Sequence, residues 1–256
     1  MRKLLLGDEA IAQAAIDSGL SGVYAYPGTP STEITEFIQL REEKRGDAEN
    51  KICCRWATNE KTAMEGALGM SYMGKRALVC MKHVGMNVAA DPFVNSAMTG
   101  VNGGLVVVAA DDPSMHSSQN EQDSRFYGKF ALLPIFEPSS QQEAYDMTRA
   151  AFELSEAVKL PVLMRVTTRM AHSRDVVNVT EEPRKQNEIN RPEDVRTWIL
   201  LPAFAKRRYV QLLAQQDDLL KASTESKFNF YRKGSNPEKA VIATGIAYNY
   251  YMETVA

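Results

Sequence analysis

Apolar positions along the chain fall into two spacings that alternate. Between Gly7 and Ser18, Ala10, Ile11, Ala14 and Ala15 recur at helical intervals, and Gly19 and Gly22 close the segment. Val23-Tyr24-Ala25-Tyr26 then reads as a short strand. Pro27 and Pro30 exclude regular structure from the turn that follows. Further helices are predicted over about 32–41, 60–73 and 141–157, and strands over about 51–57, 77–81, 105–110 and 161–166. Continuous apolar runs such as Leu105-Val106-Val107-Val108-Ala109-Ala110 are the kind that a parallel sheet buries on both faces. The alternation predicts an α/β fold, doubly wound, with a mainly parallel sheet and helices on both faces.

Beyond about residue 176 the pattern lapses. Charged and amide residues dominate to about residue 238, prolines stand at 183, 192, 202 and 237, and one amphipathic helix is predicted over about 203–222. Residues 176–239 therefore read as a linker with one helix, after a first domain of residues 1–175. Ala240-Val241-Ile242-Ala243-Thr244-Gly245 predicts a new strand–turn–helix unit running to Ala256. A unit of that size cannot bury its own apolar face. The expectation is that 240–256 opens a following, truncated α/β domain and that the chain is the front piece of a longer one.

Composition narrows the partners. Thirty Lys+Arg against 32 Asp+Glu leaves a net charge of -2, with no basic excess to hold nucleic acid or an acidic membrane surface. No apolar run reaches the roughly 18 residues of a transmembrane helix. Gly7, Asp8 and Glu9 cut the opening Leu4-Leu5-Leu6 run too early for an export signal. Cys53, Cys54 and Cys80 form neither a C-x-x-C pair nor a disulfide framework. That suits a reducing cytoplasm and argues against an iron–sulfur or structural zinc site in this chain.

Parallel sheets place ligands beyond the carboxyl ends of their strands, and the polar residues gather there. Thr29, Ser31 and Thr32 follow the first predicted strand, Asn59 and Glu60 the second, and Lys82 and His83 the third. Asp111, Asp112 and His116 follow the fourth, and Thr167, Thr168, Arg169 and His172 the fifth, so all three histidines lie past strand ends. Glu60 sits in the first turn of a helix, where the dipole stabilises a carboxylate by about 0.3–1 kcal/mol, with Asn59 or Thr58 as cap. Spacing alone favours that structural role over a catalytic one. His83, read as a loop residue, suits either a ligand or a backbone carbonyl, and Gly85 beside it suggests a close backbone approach or positive φ. His116, in the polar loop 114–123, suits a substrate better than a metal, because scattered carboxylates lack ligand spacing. Arg169 with His172 suits an anionic substrate or plain solvated surface. No G-x-G-x-x-G, P-loop or G-x-S-x-G is present, so nicotinamide binding has no support.

Five strings occur in order: Tyr26-Pro27-Gly28-Thr29-Pro30-Ser31-Thr32-Glu33, Asn59-Glu60-Lys61, Met81-Lys82-His83-Val84-Gly85-Met86-Asn87, Ala109-Ala110-Asp111-Asp112-Pro113 and His116-Ser117-Ser118-Gln119-Asn120-Glu121-Gln122-Asp123. On these strings, residues 7 to 174 resemble the thiamine-diphosphate-dependent 2-oxoacid:ferredoxin oxidoreductases, and within them the alpha subunits of the indolepyruvate type. The resemblance implies a thiamine diphosphate-binding fold of the pyrimidine-binding kind over residues 1–175. It places Glu60 as the catalytic glutamate that hydrogen-bonds the cofactor's aminopyrimidine nitrogen, with Pro27, Gly28, Thr29, His83 and Gly85 beside the cofactor. Thr29, His83, Lys82, His116 and Arg169 become candidates for the substrate. Pyruvate-specific relatives carry an arginine near the place of Ala110-Asp111-Asp112, and its lack here favours an aryl 2-oxoacid such as indolepyruvate.

The implied activity is oxidative decarboxylation of that acid to an acyl-CoA, with electrons passed to ferredoxin. The family holds Mg²⁺ and the diphosphate on a Gly-Asp-Gly…Asn segment of another domain, so no metal ligands are expected in this chain. Iron–sulfur clusters would lie only in missing regions. An oligomer with a beta-type partner subunit is expected, and the chain alone should be inactive. A different 2-oxoacid oxidoreductase or decarboxylase, and a non-catalytic docking module, are the other readings.

Overall fold

The computed structural model describes residues 1–46, 49–234 and 238–255. In chain order these form β1 (Arg2–Leu6), α1 (Gly7–Asp17), β2 (Leu20–Ala25), α2 (Thr32–Lys44), β3 (Cys53–Trp56) and α3 (Glu60–Tyr72). Next come β4 (Arg76–Lys82), α4 (His83–Thr99), β5 (Leu105–Asp111), α5 (Arg125–Ala131), β6 (Ile135–Phe136) and α6 (Gln141–Val158). The chain continues through β7 (Val162–Thr167), α7 (Thr168–His172), β8 (Arg174–Asn178), α8 (Pro202–Ala214), α9 (Gln216–Thr224) and α10 (Ala247–Val255).

Six strands form one sheet in the order β3-β2-β4-β5-β7-β6, and every neighbouring pair is parallel. Register is set through the middle, with Val79 opposite Val107 and Val107 opposite Leu163. All seven residues of β4 and of β5 are buried, which is why both read as unbroken apolar runs. Leu78 and Cys80 point into a core with the alanine face of α1, with α6, and with Ile34 and Ile38 of α2. Val79 and Met81 point the other way, into a core with Ala63 and Met64 of α3 and Phe93 of α4. The doubly wound, helix-covered parallel sheet that the sequence predicts is the fold observed.

Three differences matter. The opening leucines form β1, which pairs antiparallel with β8 some 170 residues later, in a ribbon separate from the main sheet. His83 is the first residue of α4 and lies outside any loop, and Gly85 sits inside that helix without a positive φ. The stretch read as loop is helical because tertiary packing overrides Gly85 and the buried Pro92 within it. Ala240–Thr244 form no strand, because no neighbouring strand is there to complete their hydrogen bonds; only the helix of that unit forms, as α10.

The stretch after β8 packs back on the domain. Arg184 N donates to Asp17 O (2.8 Å), and Asn190 N donates to Met73 O (2.9 Å). Trp198 stacks on Tyr72 at 4.3 Å, and Leu212 of α8 is buried in the α3–α4 core. Two consecutive helices, α8 and α9, stand where one is predicted. Among the described residues, no helix is long and apolar enough to cross a membrane.

Candidate active site

β2 sends its chain outward to β3, while β4 lies on its other side, so the strand order reverses between β2 and β4. At such a switch point the loops leaving the two strands diverge and a crevice opens above their carboxyl ends. The β2–α2 turn, the start of α3 and the start of α4 meet there. A Cβ on Gly28 would lie 3.2 Å from the Cβ of Lys82, so the turn touches the end of β4. Ser31 Oγ (2.8 Å) and Ser31 N (3.0 Å) both donate to Gly28 O, and Gly28 N donates to Thr32 Oγ1 (2.9 Å). These bonds hold the turn and leave Thr29 exposed.

Glu60 is placed by its cap. Asn59 Oδ1 accepts from Thr62 N (3.0 Å) and starts α3. The next residue, Glu60, turns inward to only 9% exposure. Its carboxyl has no hydrogen bond or ion pair with any described residue, and it packs on Gly85. A Cβ there would stand 2.7 Å from both Glu60 Cγ and Oε1. With Glu60 in this position only glycine fits at 85, and the close approach expected of it is to a carboxyl side chain.

Lys82 and His83 are directed elsewhere. Lys82 Nζ donates to Ser117 O (2.7 Å). His83 is fully buried, and its Nε2 faces Asn120 O (3.0 Å) and Asn120 Oδ1 (3.1 Å). A backbone carbonyl can only accept, so Nε2 carries a proton, and Nδ1 is left buried without a partner. Gln122 Nε2 donates to His83 O (3.1 Å). The polar 112–124 loop is thereby tied across the ends of β4 and β5.

Asp111 and Asp112 anchor the same loop from below. Asp111 accepts from Ser124 N (3.0 Å) and pairs with Arg165 Nε (2.7 Å). Asp112 accepts from Ser117 N (2.8 Å), Thr168 Oγ1 (2.6 Å) and Ser118 Oγ. Burial alone would raise the Asp112 pKa, but the hydroxyls of Ser118 and Thr168 and the backbone N–H groups of Ser117 and His116 outweigh it and hold the carboxyl below its ordinary range. His116 rides exposed on this loop. Arg169 lies beyond β7, its guanidinium 5.5 Å from the Tyr250 ring centre. The structure thus brings Gly28, Glu60, Lys82, His83 and Gly85 together at the switch point, with Pro27 and Thr29 on its rim. It does not bring His116 or Arg169 into contact with Glu60.

Sequence reasoning missed Asp8, the second residue of α1, which is 0% exposed with neither carboxylate oxygen partnered. Burial, then the nearby Glu33 and Glu9, push its pKa well above the carboxylate range. Without β1 in view, nothing marked Asp8 as following a strand. A cleft at the opposite end of the sheet, lined by Arg41, Arg45, Arg184 and Lys185 among others, shares no residue with the Glu60 group.

The site fits an aminopyrimidine. A carboxyl without a protein partner, on a nearly buried side chain beside a helix start where glycine lets it pack closely, can offer a hydrogen bond to a ring nitrogen. Residues 13–218 match the family described as pyruvate flavodoxin/ferredoxin oxidoreductase, thiamine diphosphate-binding. The indolepyruvate oxidoreductase subunit IorA of Archaeoglobus fulgidus is 43% identical over 253 residues, covering 98% of this chain and 40% of that protein. The 2-oxoglutarate synthase subunit KorA of Methanothermobacter thermautotrophicus is 27% identical over 184 residues, 68% of this chain and 47% of that protein. The chain thus spans about two-fifths of the length of its indolepyruvate oxidoreductase relatives. In fold it resembles a 2-oxoglutarate:ferredoxin oxidoreductase from Magnetococcus marinus, with a TM-score of 0.65 at 17% identity over 91% of this chain and 46% of that one. By sequence match and by fold, the chain belongs to the pyruvate flavodoxin/ferredoxin oxidoreductase family of thiamine diphosphate-binding proteins.

Proposed function

We propose that this chain supplies the aminopyrimidine half of the thiamine diphosphate site in an indolepyruvate-type oxidoreductase. The complete enzyme would decarboxylate an aryl 2-oxoacid oxidatively, form an acyl-CoA and pass electrons to ferredoxin. The single observation that carries this reading is the nearly buried Glu60 side chain, its carboxyl without a protein partner, packed on Gly85 at the switch point. Relatives above 40% identity along nearly the whole chain are indolepyruvate oxidoreductase subunits, which supports that substrate class.

Bound thiamine diphosphate would supply a nucleophilic carbon and an electron sink for decarboxylation. Glu60 would hold a proton at the aminopyrimidine ring nitrogen, a bond made strong by the exclusion of water. Gly85 keeps the ring's approach to that carboxyl open. Thr29, exposed on a turn whose backbone is pinned by Ser31 and Thr32, would meet the substrate from the β2 side. His83 Nδ1, buried without a protein partner, would be available to a bound group, while the Nε2 bond to Asn120 ties the start of α4 to the covering loop. Lys82, held on Ser117 O, is the nearest cation to that turn among the candidates for the substrate carboxylate.

Residues 1–175 would be the pyrimidine-binding domain, 176–239 its linker and 240–256 the opening of the next domain. Mg²⁺, the diphosphate contacts and the iron–sulfur clusters would belong to regions outside this chain or to a beta-type partner. The test is Glu60→Gln in the reconstituted enzyme, with assembly and melting temperature followed in parallel. Catalysis by Glu60 predicts indolepyruvate oxidation reduced by about 10²–10⁴-fold with assembly unchanged. Retained activity would sink the reading, and loss of assembly alone would leave a docking module.

A further inference from the structure

We propose that Asp8, Glu33 and His172 form a binding site for one divalent transition-metal cation, on the opposite face of the sheet from Glu60. Asp8 stands at the start of α1, Glu33 at the start of α2 and His172 at the end of α7. One donor atom from each lies within 4.8 Å of the other two, and His172 Nε2 is 3.4 Å from Glu33 Oε1. Donors at about 2.0–2.2 Å from a common tetrahedral ion stand about 3.4 Å apart, so small side-chain adjustments close the set.

Two carboxyl groups with one histidine are by themselves no site, since many acidic clusters are merely solvated. Two further observations point to a ligand. Asp8 is 0% exposed, yet neither of its oxygens has a hydrogen-bond partner. Glu33 Oε2 is likewise buried and unpartnered. A buried charge is ordinarily paired or bound to a metal, and a neutral carboxylic acid would still need an acceptor for its proton. No Lys or Arg pairs with Asp8 or Glu33 among the described residues. The third nearby carboxylate, Glu9, is occupied by the backbone N–H of Leu6 at 2.8 Å. The pocket therefore presents unpartnered carboxyl oxygens at its floor and one imidazole at its rim, and its outer ligands, Glu33 and His172, are about one third exposed.

That geometry leaves room for water to complete the coordination. Two carboxylate oxygens with an imidazole nitrogen suit Zn²⁺, Mn²⁺, Fe²⁺ or Co²⁺ better than Ca²⁺ or Mg²⁺, which prefer oxygen alone. Cys80 lies behind Asp8 in the α1–α2 core, whereas Glu60 belongs to the α3–α4 side, so this ion would be separate from any Mg²⁺ that a diphosphate brings. It would tie the starts of α1 and α2 to the end of α7, and α2 begins directly after the turn that carries Thr29. The expectation of no metal ligands rested on the resemblance, which puts Mg²⁺ on another domain, and on the lack of ligand spacing; these three residues are 25 and 139 positions apart in the chain, invisible to any motif.

The experiment is calorimetric titration of Zn²⁺ into the purified, chelator-treated 256-residue protein in excess Mg²⁺, repeated with Co²⁺ to read its visible absorption. One equivalent of Zn²⁺ should bind to the wild-type protein, weakened at least about tenfold in His172→Ala and in Asp8→Asn. Bound Co²⁺ should show a histidine- and carboxylate-ligated spectrum that both substitutions abolish. His172 is on the rim, so its replacement leaves the fold intact by circular dichroism; should Asp8→Asn not fold, Glu33→Gln takes its place. Absence of a one-equivalent site in folded wild-type protein, or affinity retained within about threefold in His172→Ala, would overturn the proposal.

Discussion

The two ends of the central sheet treat buried charge in opposite ways. At the amino-terminal end, Arg76 is fully buried and every contact is answered. Its guanidinium donates to Glu156 (2.9 and 2.6 Å), to Glu153 (2.7 Å) and to Ser18 O (2.9 Å). Glu156 in turn accepts from Asn187 (2.8 Å) and from Gly104 N (3.3 Å). At the carboxyl end, His83 Nδ1 is buried with nothing answering it, and the nearly buried Glu60 has no protein partner for its carboxyl. Polar groups left unsatisfied cost stability, and a chain that satisfies them at one end has the means to do so at the other. Charge is closed off where the fold is held and left open where a ligand belongs.

The widest separation of the two ends comes from a pair of substitutions. Glu60→Gln in the reconstituted enzyme should lower turnover by about 10²–10⁴-fold while the melting temperature holds, because no partner in the protein is lost. Arg76→Met should do the reverse. It strands the mostly buried Glu156 beside an aliphatic chain, while the exposed Glu153 stays solvated, at a cost of about 3–5 kcal/mol, with turnover per folded molecule preserved. For a chain of this size that is a fall of roughly 6–20 °C in melting temperature. A large thermal loss in Glu60→Gln, or a turnover loss in folded Arg76→Met, would erase the contrast.

The sheet's middle was legible in the sequence because its signals are local. β4 and β5 are unbroken apolar runs, and α1, α3 and α6 show their faces by periodicity, with Asn59 as the cap of α3. What escaped depends on distant residues. β1 exists only because β8 pairs with it, and β6 is two residues borrowed from the edge of β7. α4 holds two residues that ordinarily break helices, Gly85 and Pro92, and both are retained for tertiary reasons. The strand-end rule found Glu60, Lys82 and His83 but could not tell which of the polar residues at 111, 112, 116 and 169 face the crevice. Asp111 and Asp112 proved to be anchors, and that is decided by Ser124, Arg165 and Thr168, none of which is a neighbour in sequence.

The ion cluster at the amino-terminal end also carries an acid dependence of its own. Burial would raise the Glu156 pKa, but hydrogen bonds from Arg76 and Asn187, the charge of Arg76 and the Gly104 N–H lower it to about 2 from 4.5. A depressed carboxylate pKa contributes stability that is fully present above the unfolded value and disappears as pH falls through the folded one. Denaturant melts should therefore lose on the order of 1–2 kcal/mol between about pH 4.5 and pH 2 from this group, allowing for solvent at its edge. Arg76→Met should flatten that part of the curve. An unchanged acid limb in the variant would show that Glu156 is held by something other than Arg76.

Two glycines bring the comparison down to single methyl groups. Gly85 and Gly69 both lie in helices, α4 and α3, where replacing glycine by alanine ordinarily stabilises by about 0.5–1 kcal/mol. Around Gly69 an added Cβ would meet nothing within 4 Å, so Gly69→Ala should gain that amount and leave turnover alone. Around Gly85 the same methyl would stand 2.7 Å from Glu60 Cγ and Oε1, closer than real Cβ contacts come. Glu60 is the movable partner, since its carboxyl is held by no hydrogen bond. Gly85→Ala should therefore keep most of its helix-propensity gain and lose turnover, by roughly tenfold for a displacement worth about 1.4 kcal/mol at the transition state. Paired melting curves and steady-state rates for the two variants check this. Equal turnover in both would mean that the position of Glu60 does not limit the reaction, and the open end of the sheet would lose its claim to be the catalytic one.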